Sequence, residues 1–421
     1  MKRYIIVLLV GMLFLPSCSL YKKYESDATV DERVMGDVVD SQDTTSIGDI
    51  NWRDIFTDQL LQNLIDDALA NNTDMRTTQL TIEQAQNSLK AAKWGYVPTF
   101  AFAPQATFTN IAGNNSNSVL IPVTASWQLN IFGQTRSQIR KAKSQVAYYQ
   151  DYRQAMQVSL AANVANIYYM LVMLDHELEL AEYFEGLYEE SYNSTEALYN
   201  AGIYKSPAVY QMEASLEEIR TEIVDLRNTI ASTEAMLCLL LAEPPHHIER
   251  AKFGEFQMPE QIHIGLPARL LDARPDVRMA ERNMEIAYYN TQMARQSFYP
   301  NITISGLVGY TGTVDALDFI GQAVGQLTQP IFQGGQLRAQ VRNAKKEQEK
   351  ANLEFVQTLY NAGSEVYQYL KDCQTAEEKA EHIEIRVIAL QKAYSSTTEL
   401  MNNGSTTYLE VLTAQESLLS A

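Results

Sequence analysis

From Val119 to Ile131 the odd positions are Val119, Ile121, Val123, Ala125, Trp127, Leu129 and Ile131, and between them stand Leu120, Pro122, Thr124, Ser126, Gln128 and Asn130. Period-two alternation predicts a β-strand with one greasy face that carries an aromatic and one polar face without charge. A half-buried soluble sheet alternates in the same way, but runs of about 9–13 residues match a tilted membrane-spanning strand better than the usual length of about five or six. After Phe298-Tyr299-Pro300 the pattern returns, with Ile302, Ile304, Gly306, Val308 and Tyr310 interleaved mostly by Thr303, Ser305, Gly309 and Thr311. A further run from Gly321 to Phe332 ends at Gly334-Gly335. Four strands are predicted, at about 97–110, 118–132, 300–312 and 318–332.

Elsewhere the period is helical. Trp52, Ile55, Phe56, Leu60, Leu61, Leu64, Ile65 and Ala68 recur at three and four, which predicts an amphipathic helix broken at Asn71-Asn72. A second helix is predicted from Asp74 to Lys93, before Gly95 and Pro98. After Gly133 no proline interrupts the chain as far as Tyr199, and a helix of about 65 residues is on the order of 100 Å long. No single globular core is that deep. Asn200 to Pro207 turns the chain, Ala208 to Ala242 returns as helix, and Pro244-Pro245 ends it. After Gly334-Gly335 a second long helix opens. Along it Cys373, Ala380, Val387, Tyr394 and Met401 lie seven apart, with Ala376, Ile383, Leu390 and Thr397 three positions further on. That spacing is a coiled-coil seam, and its small and polar residues suit helices that approach closely and share more than one face. Asn402 to Thr407 repeats the turn, and Tyr408 starts a return helix.

The two halves are copies. Asp276, Arg278, Glu285, Ala294 and Pro300 each lie 202 residues after Asp74, Arg76, Glu83, Ala92 and Pro98, and the same offset relates Asn200 and Gly202 to Asn402 and Gly404. A constant offset along most of the chain indicates duplication of one strand-and-helix unit. The expected divisions are residues 51–250 for the first repeat, with its tip at about 200–207, and 251–421 for the second, with its tip at about 402–407.

The N-terminus adds a destination. Lys2 and Arg3 precede an apolar run, Tyr4 to Leu15, too short to span a bilayer, and Leu15-Pro16-Ser17-Cys18 follows at once. The tetrad resembles a bacterial lipobox, so residues 1–17 are expected to be a signal peptide and Cys18 the lipidated residue. Ser19, in place of an acid, resembles the outer-membrane class of bacterial lipoproteins. Residues 18–50 are polar and aperiodic and read as an extended leader. With Cys18 lipidated only Cys238 and Cys373 remain, both in helical sequence, where buried thiols are expected.

Among 421 residues, 46% are hydrophobic and 20% charged, which suits a folded chain; the net charge of -18 opposes a nucleic-acid partner. The five histidines, His176, His246, His247, His263 and His382, form no i,i+4 metal pair. No nucleophile signature and no phosphate-cradling glycine loop follows a strand. Neither an enzyme, a cofactor nor a metal is expected.

Membrane strands cannot keep open edges, because hydrocarbon offers nothing to pair their backbone groups. Each chain supplies four strands, so two chains close a barrel filled by its own side chains, whereas three give twelve strands and room for water.

Gly265-Leu266-Pro267 with Leu270-Leu271, Arg274-Pro275-Asp276-Val277, Phe298-Tyr299-Pro300, Gln329-Pro330-Ile331-Phe332, Gly334-Gly335 and Tyr408-Leu409-Glu410-Val411-Leu412 resemble TolC-like outer-membrane factors, in the lipidated efflux (RND-type) branch. The resemblance implies a mostly α fold with membrane β structure: a homotrimeric, 12-stranded outer-membrane β-barrel continued by a long periplasmic α-helical barrel. It implies an exit duct for small molecules and drugs in a tripartite efflux system, lipid-anchored in the outer membrane, with a periplasmic adaptor and an inner-membrane pump as partners. Export of polypeptide by type I secretion and a non-conducting periplasmic tether are the competing readings. Adaptor docking is expected at the tips, on Gly202, Ile203, Tyr204 and Lys205 and on Gly404, Ser405, Thr406 and Thr407. Glu196 and Glu399, acids within a turn or two of the tips, are candidates for a gate.

Overall fold

The structure is a computed structural model and describes Tyr24 and residues 51–111, 114–255, 273–313 and 315–421. The lipobox with Cys18, most of the leader, His263 and the Gly265-Leu266-Pro267 block lie outside the described residues. The elements, in order, are α1 (Trp52–Ile55), α2 (Gln59–Asn71), α3 (Thr73–Trp94), β1 (Thr99–Phe102), β2 (Gln105–Ile111), β3 (Asn114–Leu129), α4 (Gln134–Asn200), α5 (Ser206–Leu241), α6 (Pro275–Gln296), β4 (Asn301–Thr313), β5 (Ala316–Thr328), α7 (Gln336–Asn402) and α8 (Tyr408–Ser420). Their residues fall into two units, and the long helices α4 and α7 contribute to both.

The first unit holds the sheet, α6, most of α3 and the first turns of α4 and α7. All strand pairs are antiparallel, in the order β1-β3-β4-β5, and β2 pairs with the same edge of β3 as β1 does. The strand expected at 97–110 is thus two strands, separated at Ala103-Pro104. Proline has no N–H to give a ladder and is confined to edges and breaks. On the far side of that break the register is unchanged: Phe102 pairs with Val123 and Gln105 with Leu120. The second strand starts earlier than expected and ends at Leu129, so Ile131 lies in a turn. Likewise β5 ends at Thr328, leaving Ile331 and Phe332 in the connection to α7. Under the sheet the helices pack through small side chains, with Ala142, Ala287, Ala294 and Ala351 buried. There Thr291 Oγ1 donates to the Ala344 carbonyl at 3.0 Å, and Asp151 accepts from Arg278 Nε at 3.0 Å.

The second unit is built on α2, the long hairpin of α4 and α5, and α8. The helix expected across 52–68 is broken, because Asp58 caps α2 by accepting from Leu60 N–H at 2.8 Å. Asn72 then caps α3, accepting from Asp74 N–H at 2.9 Å while its own amide donates to the Leu240 carbonyl at 2.9 Å. Leu61, Ile65, Val164, Leu171 and Leu237 fill one core and are all 0% exposed. Tyr168 is buried with them; its hydroxyl donates to Asp58 and accepts from Ala251 N–H at 2.9 Å. Burial pushes that phenol well above its ordinary range. Arg250, 5% exposed, forms a two-pronged pair with Asp175 at 2.5 and 2.7 Å and meets Glu234 at 2.6 Å, tying the segment after α5 to the hairpin. Cys238 is buried as expected, but Cys373 is exposed. On α7 the seam residues Val387, Leu390, Tyr394, Thr397 and Met401 are half-buried, whereas Cys373, Ala376, Ala380 and Ile383 are exposed. That part of the helix finds no cover among the described residues.

Candidate functional site

Register fixes which side chains share a face of the sheet. Val119, Ile121, Val123, Ala125, Trp127 and Leu129 of β3 pair with Gly312, Tyr310, Val308, Gly306, Ile304 and Ile302 of β4, and these in turn with Leu317, Phe319, Gly321, Ala323, Gly325 and Leu327 of β5. On the other flank Phe100, Phe102 and Phe108 pair with Ala125, Val123 and Asn117. One face of the whole sheet is therefore apolar. Phe100, Phe102 and Phe108 are 72%, 66% and 72% exposed, so nothing among the described residues covers it.

Aromatic rings mark both ends of this face. Near the helices Trp127 Nε1 donates to the Tyr96 carbonyl at 2.9 Å, and Phe132 stacks on Tyr299 at 5.2 Å. Toward the hairpin turns Tyr310 meets Phe319 edge on at 5.9 Å, with Phe108 further out. From Trp127 to Asn117, opposite Phe108, is ten residues, about 34 Å of strand and about 25 Å of height at a tilt near 40°. That equals the usual height of a barrel's apolar band, about 25 Å. The opposite face is Thr99, Ala101, Thr124, Ser126, Gln128, Thr303, Ser305, Gln322 and Gln326, with Leu120, Leu307, Ile320 and Val324 among them. Both outer edges, along β1 and β2 and along β5, lack a strand partner among the described residues.

The hairpin tips are two copies of one turn. Gly202 and Gly404 take φ of 76° and 70°. Ile203 N–H reaches back to the Leu198 carbonyl and Ser405 N–H to the Leu400 carbonyl, each at 2.9 Å, the six-residue closure that ends a helix on a left-handed glycine. Lys205 and Thr407 precede the return helices as N-caps. The Tyr204 ring lies 5.7 Å from that of Tyr408, whose hydroxyl bonds Gln211 at 3.3 Å, so the two turns are neighbours. Ile203 is 66% exposed, and Thr406 bonds Glu410. Glu196 and Glu399 are both exposed; the Glu196 carboxylate, with desolvation and Glu213 behind it, holds the Tyr192 phenol above its ordinary range.

Sequence reasoning passed over Tyr24. Its ring packs against Tyr288 at 5.7 Å and its backbone bonds the Tyr289 hydroxyl, both on α6. No group of three His, Cys, Asp or Glu side chains among the described residues is placed to hold a metal.

Residues 64–243 and 266–421 match the family described as "Outer membrane efflux protein". Curated relatives include the "Probable efflux pump outer membrane protein TtgC" of Pseudomonas putida, 26% identical over 386 residues, covering 88% of this chain and 80% of the relative. The "Cation efflux system protein CusC" of Escherichia coli is 24% identical over 379 residues, covering 88% and 83%. Among solved structures the open state of the Neisseria gonorrhoeae MtrE outer membrane channel superposes with a TM-score of 0.83 at 24% identity, covering 96% of this chain and 93% of that one. The outer-membrane channel OprN gives 0.81 at 22% identity, covering 95% and 92%.

Proposed function

The chain belongs to the outer membrane efflux protein family, and on that premise we propose that three copies form the exit duct of a tripartite efflux system, through which small molecules leave passively. The observation that carries this reading is the uncovered four-layer ladder with one apolar face and two open edges. Edges exposed to hydrocarbon must close, and, with β1 and β2 counted as one strand because they lie end to end in one register along β3, joining β5 of one copy to that edge of the next gives twelve strands. At a spacing of about 4.8 Å and a tilt near 40°, twelve strands give a backbone radius of about 12 Å, wide enough for water and solute. The helices continue the duct through the periplasm, and the face of α7 left bare in one copy is covered by the next.

Residues 1–17 act as the signal, and Cys18 carries lipid at the end of a leader, residues 18–50, that Tyr24 pins to α6. The repeats, 51–250 and 251–421, each contribute a strand pair and a helical hairpin. The tips, Gly202 to Lys205 and Gly404 to Thr407, receive hairpins of a periplasmic adaptor that links the duct to an inner-membrane pump. Glu196 and Glu399, exposed acids within a turn or two of the tips, are the gate candidates: they restrict passage at that end without abolishing it, and neutral replacements at both should raise conductance without loss of the trimer. TtgC is named for efflux and CusC for cations, and both uses suit a passive duct that leaves choice of cargo to the pump. The efflux description of the family favours small molecules over type I secretion. Purified protein should conduct in planar bilayers, and bulky substitutions at Ile203 and Thr406 should abolish crosslinking to the adaptor. Export and crosslinking unchanged by both substitutions would refute the docking role, and an absence of conductance would favour the tether.

A further inference from the structure

Only one residue in the five described strands is charged. It is Asp318, third in β5 and close to the turn that joins β4 to β5. Its register partner is Thr311, which pairs with Leu120, which pairs with Gln105, so Asp318 stands on the face of Thr124, Ser126 and Gln128 and not on the apolar one. The side chain is exposed. No Lys or Arg occurs anywhere in the strands to neutralise it, and the nearest second carboxylate in sequence is Asp315 in the turn itself. A charge on an outermost strand also discourages edge-to-edge aggregation. That role needs charge at the edge but does not fix the face.

We propose that Asp318 is the selectivity residue of the duct's outer mouth: three copies form a carboxylate ring inside the barrel, at the end remote from the helices, that favours cations and cationic solutes. The inference rests on the trimeric channel reading above. A backbone radius of about 12 Å leaves each carboxylate about 8 Å from the axis, within the screening length of about 10 Å at 0.1 M salt but outside that of about 3 Å at 1 M. Rings of Asp or Glu are a general means of cation selectivity in pores.

The test compares wild type, Asp318→Asn and Asp318→Lys as purified trimers in planar bilayers under a KCl gradient. Acids elsewhere along the duct are common to all three proteins, so their differences read position 318 alone. At about 0.1 M salt the wild type should show a reversal potential displaced toward that of potassium, Asp318→Asn should lose displacement and Asp318→Lys should move toward chloride, with the differences collapsing at about 1 M. Equal reversal potentials for the three conducting proteins at low salt would overturn the proposal. A wild-type trimer that passes no current would overturn the channel reading on which it rests.

Discussion

Replacing Gly309 with alanine probes how closely β3 and β4 must approach. A Cβ built at Gly309 falls 2.1 Å from the Ile121 carbonyl oxygen and 2.8 Å from Pro122 Cα, both backbone atoms, so no side chain can swing away to make room. Relief to an ordinary contact of about 3.4 Å requires the strands to part by more than about 1 Å, enough to break backbone hydrogen bonds beside the site. Two lost bonds at about 1 kcal/mol each, added to overpacking of about 1–3 kcal/mol, give a destabilisation of about 3–5 kcal/mol. The region has little to spare, since Pro122 faces Gly309 and Pro104 interrupts the adjoining strand. Gly306→Ala is the internal control, because its Cβ would meet nothing nearer than the Gln322 carbonyl at 3.9 Å. Chemical unfolding of the two variants in detergent, followed by strand-sensitive circular dichroism, reads the difference. A Gly309→Ala protein as stable as wild type, or a Gly306→Ala protein equally damaged, would refute the close approach.

Val123→Arg, about four residues along the strand from Trp127 and so near mid-band, should destabilise the barrel by about 2–4 kcal/mol in a lipid refolding titration, and a neutral result would argue for a soluble sheet. Arg250→Met should lower stability by about 2–3 kcal/mol, because Asp175 and the half-buried Glu234 lose the guanidinium and Glu234 keeps only His247 and the Ile248 N–H, while the double variant with Glu234→Gln should recover part of that loss in the same unfolding assay. Burial raises the Glu234 and Asp276 carboxyls, but hydrogen bonds from Arg250 and from Arg274 outweigh it and hold both below the usual carboxylate range. Unfolded chains therefore take up these protons first as pH falls, so the stability they confer is present at neutral pH and is lost as pH drops through the folded values, which lie below the ordinary carboxylate range. Urea midpoints measured from pH 7 to pH 3 should fall less steeply for Glu234→Gln than for wild type; equal slopes would contradict the assignment. Cys18→Ala should remove the acyl mass from the N-terminus while the protein still fractionates with membranes, and an unmodified wild-type N-terminus would contradict lipidation.

Much of the sheet was legible because period-two alternation survives in each strand, and because Val119 to Leu129 carries its faces without interruption. The break at Pro104 was not, since alternation runs through it and only the lost N–H gives it away. Ile131 and Ile331 continue the apolar phase past the strand ends, and only the turn geometry separates them from it. The helix across 52–68 read as continuous because its apolar spacing is helical on both sides of Asp58, whose capping role depends on a carboxylate position that spacing does not report. The tips were legible as turns from Gly202 and Gly404 at a fixed offset, but the contact of Tyr204 with Tyr408 needs the return helices in place. Cys373 looked buried in an apolar helix. Among the described residues its face has no neighbour, and a seam between copies leaves the same heptad signature as a seam within one.

The mass of the detergent-solubilised protein, by native mass spectrometry with its lipid attached, tests the central claim most directly, because four strands per chain make a water-filled barrel only when three chains join. The account predicts a single species of three chains that survives dilution. A stable monomer or dimer would contradict it.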